Sequence, residues 1–394
     1  MYSIILFLKR YVYVFVYFIF SSMLCAGTIL PGAEQFEKYL PLLKNKEVAL
    51  VVNHSSMTKE GHLVDVLLHH GIRVKKIFAP EHGFRGEADA GAHVKNSKDS
   101  KTGLPIVSLY GKHKKPSKAD LKGIDIIVFD IQDVGVRFYT YLSTLHYVME
   151  AGAAYDIPLL VLDRPNPNAH YVDGPVLKKK FRSFVGLDPV PIVYGMTIGE
   201  YAKMLHGEGW LKGRNKVYLR VIPVANYSHK SLYQLPVKPS PNLPSERSIL
   251  LYPSLAFFEG TVISEGRGTK KPFEVYGAPA YKVKTFSFIP RSRVGARFPK
   301  FKNRRCYGVD LSKLEIKDLR RKKRIDLSYI LDAYKNYPDK KHFFRKNNFI
   351  DTLYGSDALR KMIEAAKSEA QIRKTWEKDL SKFKKIREKY LLYS

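Results

Sequence analysis

Four apolar runs in this chain each stop abruptly in a cluster of polar and charged residues, and this pattern limits the fold more than any other feature. VALVV, at 48–52, runs into Asn53, His54, Ser55 and Ser56. VKKIFAP, at 74–80, runs into Glu81 and His82, within APEHGFRGEADAG. IDIIVF, at 124–129, runs into Asp130, Gln132, Asp133, Arg137 and Tyr139. PLLVL, at 158–162, runs into Asp163, Arg164, Asn166 and Asn168. Continuous apolar strands of this length are buried on both faces, as in a parallel sheet covered by helices. In such a sheet the carboxyl ends of the strands share one edge, where ligands bind. The four clusters are therefore expected to face one crevice.

Between the strands the periodicity changes to that of helices. The spacing predicts helices over 62–70, over 140–154 (Leu142, Leu145, Val148 and Met149 on one face) and over 197–207. The last has Thr197 as its cap, with Glu200 three residues on, as a capping box requires. Further strands are expected at 106–109 and 190–193. PVKPSPNLPS, at 236–245, is neither helix nor central strand, because proline fixes φ and lacks a donor. The domain boundary falls there, dividing 27–245 from 246–394. Near the C-terminus, Ile372, Trp376, Leu380, Phe383, Ile386 and Tyr390 form one helical stripe that docks on the core.

The chain has 394 residues and a formal charge of +30, a field that attracts polyanions such as acidic wall polymers, anionic lipid or nucleic acid. No zinc finger, RNP motif or basic-region helix accompanies the charge, so no specific nucleic-acid partner follows. Residues 1–26 read as an export signal: Lys9 and Arg10, an apolar stretch at 11–20, then small residues. This gives a periplasmic or extracellular address. Membrane attachment would come from an uncleaved signal or a lipid on Cys25, both minority readings. Beyond the signal only Cys306 remains, so no internal disulfide can form. Cys306 has no histidine near it in sequence and reads as a buried structural thiol.

Glu81 is the first choice for an acid/base, since it leaves an apolar strand between Pro80 and a glycine turn. Asp130 and Asp133 are candidates for the second carboxylate that a glycosidase needs. Arg137, Arg164 and Arg267 are candidates to clamp a substrate carboxylate. Asn53, His54, His82, Arg85, Gln132, Tyr139, Asp163 and Asn166 join the candidate binding set from the strand ends. EGT and SEGRGT bring Glu259, Glu265 and Arg267 onto flexible backbone that would line the crevice from the second domain. There is no G-x-S-x-G elbow, no G-x-G-x-x-G after the first strand and no H-E-x-x-H.

At these motifs the chain resembles the NamZ-type exo-β-N-acetylmuramidases, a bacterial family formerly known only as a domain of unknown function. The resemblance runs from about Lys44 to the terminal YLLY. It is carried by FAPEHGFRGEADAG, TGLPIVSLYG, FDIQDVGVRFYTYLSTLHYVMEA, LDRPNPN, HYVDGPVL, VYGMTIGEYAKMLHGEGWL, LPVKPSPNLPS, LYPSLAFFEGT and SEGRGT. It implies an α/β protein: a Rossmann-like parallel-sheet domain, then a smaller α+β C-terminal domain, with the active site in the cleft between them. It implies a hydrolase that removes N-acetylmuramic acid from non-reducing ends of peptidoglycan fragments without a cofactor. The family's proposed catalytic glutamate falls on Glu81, and Glu265 joins Asp130 and Asp133 as a possible second group. Ala169 stands where a glycine is expected, which would strain a turn needing positive φ.

Two other readings compete. One is a metal-dependent hydrolase or deacetylase, with His54, His82, Asp130 and Asp163 assembling a site at the sheet edge. The other is a non-catalytic binder of anionic polymer driven by the charge.

Overall fold

The computed structural model describes residues 27–81, 83–84, 96–213 and 217–393. Its strands are β1 (Glu47–Val52), β2 (Met57–Thr58), β3 (Gly61–His62), β4 (Arg73–Ala79), β5 (Ser97–Lys98), β6 (Pro105–Ser108), β7 (Ile126–Asp130), β8 (Leu159–Leu162), β9 (Leu219–Ile222), β10 (Val275–Ala278), β11 (Phe286–Phe288) and β12 (Cys306–Asp310). Seven of them form one sheet in the order β5-β6-β4-β1-β7-β8-β9. All pair in parallel except β5 with β6. Counted along the chain, the six parallel strands stand in the order 3-2-1-4-5-6, the doubly wound Rossmann arrangement. The chain reverses direction about β1, so the ligand crevice belongs at the carboxyl ends of β1, β4 and β7.

Side-chain alternation explains the two covered faces. Val48, Leu50 and Val52 of β1 enter one apolar cluster with Ile126 and Val128 of β7. That cluster packs under the helices Phe36–Leu43 and Leu63–His69. Ala49, Val51, Ile127 and Phe129 face the other way, into a larger cluster with the helices Tyr141–Ala154 and Ile198–Gly207. The expected capping box is present: Thr197 accepts from the Glu200 N–H, and Glu200 accepts from the Thr197 N–H.

Three local expectations need correction. Residues 190–193 form no strand, because Val193 makes only isolated bridges to Val136 and Asp173. Ala169 does not adopt positive φ, so the absence of glycine there strains nothing. The C-terminal stripe is carried by two helices, Glu369–Lys374 and Glu377–Glu388, which meet around Trp376. Its members Ile372, Trp376, Leu380 and Phe383 are buried as expected. Cys306 is a buried free thiol, and burial pushes its pKa up to about 12.

The larger cluster does not stop at residue 245. It continues through Leu251, Phe257 and Phe258 to Ile350, Tyr354 and Phe383, so both halves share one core. A three-stranded antiparallel sheet, β10-β12-β11, caps the C-terminal half. Arg137 lies across the junction. Its guanidinium is buried and donates only to backbone carbonyls: Nη1 to Pro175 and Val190 (2.8 and 2.7 Å), Nη2 to Leu353 and Tyr354 (both 2.9 Å). Gly355 makes room for it. A Cβ there would stand 2.8 Å from Arg137 Nη2, and φ is +86°. The expectation that Arg137 clamps a substrate carboxylate is not met, since the guanidinium is buried and four carbonyls already engage Nη1 and Nη2.

Arg137→Met should lower stability by about 3 kcal/mol or more, because it leaves buried carbonyls unpaired. Arg137→Lys should recover only part of this, since one ammonium lacks the planar fork. Chemical denaturation of the two variants beside wild type measures both effects.

Candidate active site

The crevice predicted by the strand order contains a cavity of about 450 Å³. Glu81 lines it, one residue beyond Pro80 at the end of β4. A tight turn aims it: the Gly83 N–H donates to the Pro80 carbonyl at 3.0 Å, with Gly83 at φ +75°. Glu81 is only 8% exposed, and its Oε2 accepts from Thr140 Oγ1 at 2.5 Å. Thr140 precedes the helix Tyr141–Ala154, so the carboxylate faces the positive end of a 14-residue helix.

Aromatic rings build the walls. Tyr139 meets Tyr141 edge-on with centroids 4.7 Å apart, and Tyr252 meets Phe273 edge-on at 4.9 Å. The negative charge of Glu81 contributes to the raised pKa of both Tyr141 and Tyr252, behind the larger effect of burial, which places the carboxylate close to both phenols. On another side, Tyr110 and Phe184 pack edge-on at 5.6 Å, and the Lys114 ammonium sits 4.9 Å from the Phe184 ring. Lys114 forms no ion pair among the described residues.

The C-terminal half supplies a second carboxylate and a second cation. Glu259 and Arg267 both line the cavity and pair at 3.1 Å. Arg267 also lies 5.0 Å from the Phe273 ring and 3.3 Å from Glu265. Glu265 sits behind them, buried, with Lys300 at 3.0 Å. Burial raises the Glu259 pKa more than Arg267 lowers it. For Glu265 burial acts in the same direction, but Lys300 and Arg267 outweigh it and hold the carboxyl ionised. The loop carrying Arg267 is conformationally costly. Phe273 has φ 57°, the left-handed region that a bulky aromatic rarely occupies. The Phe273 N–H donates to the Glu265 carbonyl at 2.8 Å, closing the loop under the guanidinium.

Of the four strand-end clusters, those after β4 and β7 reach this cavity through Glu81 and Tyr139. The other two form its scaffold. Asn53 donates to Tyr141 Oη at 2.9 Å and holds Ser55 in a tight turn. His54 Nε2 lies 2.8 Å from the Lys238 carbonyl. Asp163 accepts from Thr197 Oγ1 (2.6 Å), the Gly199 N–H (2.8 Å) and Tyr393 Oη (2.5 Å), tying a helix start to the C-terminus. Asn166 donates to the Met196 carbonyl at 2.7 Å, and Gln132 to the Asp133 and Pro165 carbonyls at 2.7 Å each. Arg164 and Asp130 form a buried two-pronged pair at 2.5 and 2.8 Å. Asp133 accepts from the Gly135 N–H at 2.6 Å and from Tyr194 Oη, and burial pushes its pKa up to about 6. Asp130, Asp133 and Glu265 are not among the residues that line the cavity. His82 and Arg85 lie outside the described residues.

The lining also holds residues that the sequence reading did not single out: Lys114, Thr140, Tyr141, Phe184, Tyr252 and Asn242. TYL, directly after Tyr139, carried the only local signal for Thr140 and Tyr141. Among the described residues no group of three or more His, Cys, Asp and Glu is placed to hold a metal ion. Asp130 and Asp163 are engaged as just described.

A doubly wound fold with two carboxylates and two cations in an aromatic cavity at the switch point has the features of a site for a small molecule or a saccharide. The comparisons narrow it. Residues 48–247 match the family described as exo-beta-N-acetylmuramidase NamZ, N-terminal, and residues 250–393 match its C-terminal counterpart. The chain belongs to the NamZ family. It is 40% identical over 384 residues to the peptidoglycan beta-N-acetylmuramidase NamZ of Bacillus subtilis, covering 93% of this chain and 90% of that protein. Two crystal structures of DUF1343 family proteins from Bacteroides fragilis are similar. One has 48% identity and a TM-score of 0.86, the other 28% and 0.77, each covering 93% of this chain and 99% of the other.

Lys300→Met should destabilise the protein by about 3 kcal/mol, because it leaves the Glu265 charge buried with a weaker partner set. Adding Glu265→Gln to that variant should recover part of the loss. Denaturation of the two singles and the double closes the cycle.

Proposed function

We propose that this protein is an exo-acting glycoside hydrolase that releases N-acetylmuramic acid from the non-reducing ends of peptidoglycan fragments. The observation that carries this is the pairing of family membership with a cavity of one-sugar scale holding Glu81 and Glu259. Glycoside hydrolysis needs two carboxyl groups flanking the bond, and these are the two that line the cavity.

Glu81 acts as the general acid/base. In the first step it gives its proton to the glycosidic oxygen as that oxygen leaves the anomeric carbon and the Glu259 carboxylate bonds to it. It then takes a proton from water as the water oxygen bonds the anomeric carbon and releases Glu259. Thr140 fixes the orientation of the carboxyl group for this, by donating to Oε2. Glu259 is the second carboxyl group. Arg267 orients it and favours its ionised form, and Glu265, itself paired with Lys300, holds Arg267 in turn. Tyr139, Tyr252 and Phe273 give the sugar ring an apolar face and exclude water.

Muramic acid differs from glucosamine by a lactyl carboxylate. Lys114 reads that group, since it reaches the cavity with no carboxylate partner among the described residues. Arg267 is a weaker candidate because Glu259 and Glu265 already neutralise it.

Export fits this substrate. Residues 1–26 act as the signal, and the enzyme works in the periplasm or outside the cell. Sequencing the N-terminus of protein recovered from the producing cell tests this, and an intact Met1 in a cytosolic fraction would contradict it. Among the described residues no helix is long and apolar enough to cross a membrane.

One assay tests the chemistry: release of free muramic acid from a chromogenic N-acetylmuramide by purified 27–394, with and without chelator. Glu81→Gln should lower kcat by about 10²–10⁴-fold with unchanged thermal unfolding. Lys114→Ala should raise KM several-fold, roughly the loss of one exposed charge contact, with kcat little changed. Activity lost to chelator would move the assignment to a metal-dependent hydrolase. Steep loss of wall-polymer binding with salt, without any turnover, would favour the polymer binder.

A further inference from the structure

The active-site cavity has a neighbour. Asn242 lines it on one side and a second, open hollow of about 410 Å³ on the other. Lys238, Lys270 and Arg293 line this second hollow with Thr269 and Val294, and no Asp or Glu does. All three cations are exposed. None of them forms an ion pair with a side chain among the described residues. The chain is basic throughout; near the cleft Arg267, Lys300 and Lys271 each meet a carboxylate, whereas these three share the unpaired state of Lys114 among the described residues.

The walls of the hollow are rigid. One is the 236–245 segment, with prolines at 236, 239, 241 and 244. Its backbone is tied to the active site, since Tyr139 Oη donates to the Pro239 carbonyl at 2.6 Å and His54 Nε2 lies 2.8 Å from the Lys238 carbonyl. The facing wall is joined to it by Asn242 Nδ2, which donates to the Gly295 carbonyl at 2.8 Å. The Arg291 N–H donates to the Gly268 carbonyl at 2.8 Å. Gly268 has φ +81°, and a Cβ there would stand 2.6 Å from the Arg291 carbonyl oxygen. Gly268 directly follows Arg267 of the cavity, so one loop serves both hollows.

We propose that this groove is the binding site for the part of the substrate beyond the scissile bond, and that Lys238, Lys270 and Arg293 recognise carboxylates carried there. The proposal rests on the muramidase reading above. With the terminal muramic acid in the cavity, the leaving chain extends out of it toward solvent, and Asn242 stands between the cavity and the second hollow. The first leaving unit, glucosamine, is neutral and would pass Asn242. The next carboxylates come either from the lactyl group of a second muramic acid or from a stem peptide. Both present the same chemistry to three unpaired cations.

The test is the triple charge reversal Lys238→Glu, Lys270→Glu, Arg293→Glu in otherwise unaltered protein. Three substrates separate the outcomes: the chromogenic monosaccharide, a peptide-free tetrasaccharide, and a trisaccharide whose reducing-end muramic acid bears a stem peptide. The monosaccharide aglycone carries no carboxylate, so its kcat/KM should stay within about twofold, which also reports an intact fold. On the tetrasaccharide, the peptide-bearing trisaccharide or both, kcat/KM should fall about tenfold or more, as for three weak charge contacts. Loss on the tetrasaccharide alone identifies the lactyl source, and loss on the peptide substrate alone identifies the stem peptide. Wild-type kcat/KM on the affected substrate should also fall with added salt, and the variant's should not. Unchanged kcat/KM on both anionic substrates overturns the groove assignment and leaves the muramidase reading intact. No release by wild type from any of the three overturns that reading, and the groove assignment with it.

Discussion

The guanidinium of Arg137 holds together the two parts whose meeting makes the site. It starts from the loop after β7, beside Tyr139 and Thr140, and ends on carbonyls at Leu353 and Tyr354 in the far half. A buried cation without a carboxylate is costly. Here four carbonyl dipoles from four positions along the chain replace its water. Phe349 and Leu353, which line the active-site cavity, belong to the helix whose end it grips. The position of the cavity's far wall is thus linked to the strand end that carries its near wall.

Around that link, the polar groups fall into two populations. One consists of groups satisfied by the fold: the Asp130–Arg164 pair, Asp163 under a helix start, Asn166 and Gln132 on carbonyls. The other faces the cavity: Glu81, Lys114, and the Glu259–Arg267 pair supported by Glu265 and Lys300. The second group is held with backbone strain at Phe273 and a close carboxylate–hydroxyl contact at Glu81. Strain of this kind persists only where the surrounding structure over-determines it, as it does around functional sites.

The sheet and its helices were legible because they follow from burial on two faces. The apolar runs at β1, β4, β7 and β8 and the capping box at Thr197 need no partner to be recognised. Residues 190–193 misled for the same reason. They are apolar because the core requires it, yet Val193 bridges to loops and completes no ladder. Glu81 was legible from its place at a strand end. Lys114 was not, since it lies between glycine and proline in GKHKKPSK with nothing to distinguish it from other surface lysines. Nor did local sequence separate Asp130 from Glu259. Both follow or join apolar segments, and only the three-dimensional partner decides: Arg164 lies outside the cavity lining and Arg267 is part of it.

On the proposed function, a one-sugar cavity assembled from both halves admits the non-reducing end of a glycan, and one muramic acid is cleaved from it there. The most direct measurement follows the products from a peptidoglycan tetrasaccharide labelled at its reducing end. The account predicts free muramic acid and a labelled trisaccharide as the first products. A labelled disaccharide or monosaccharide at the earliest times would mean cleavage inside the chain or from the other end, and would contradict it.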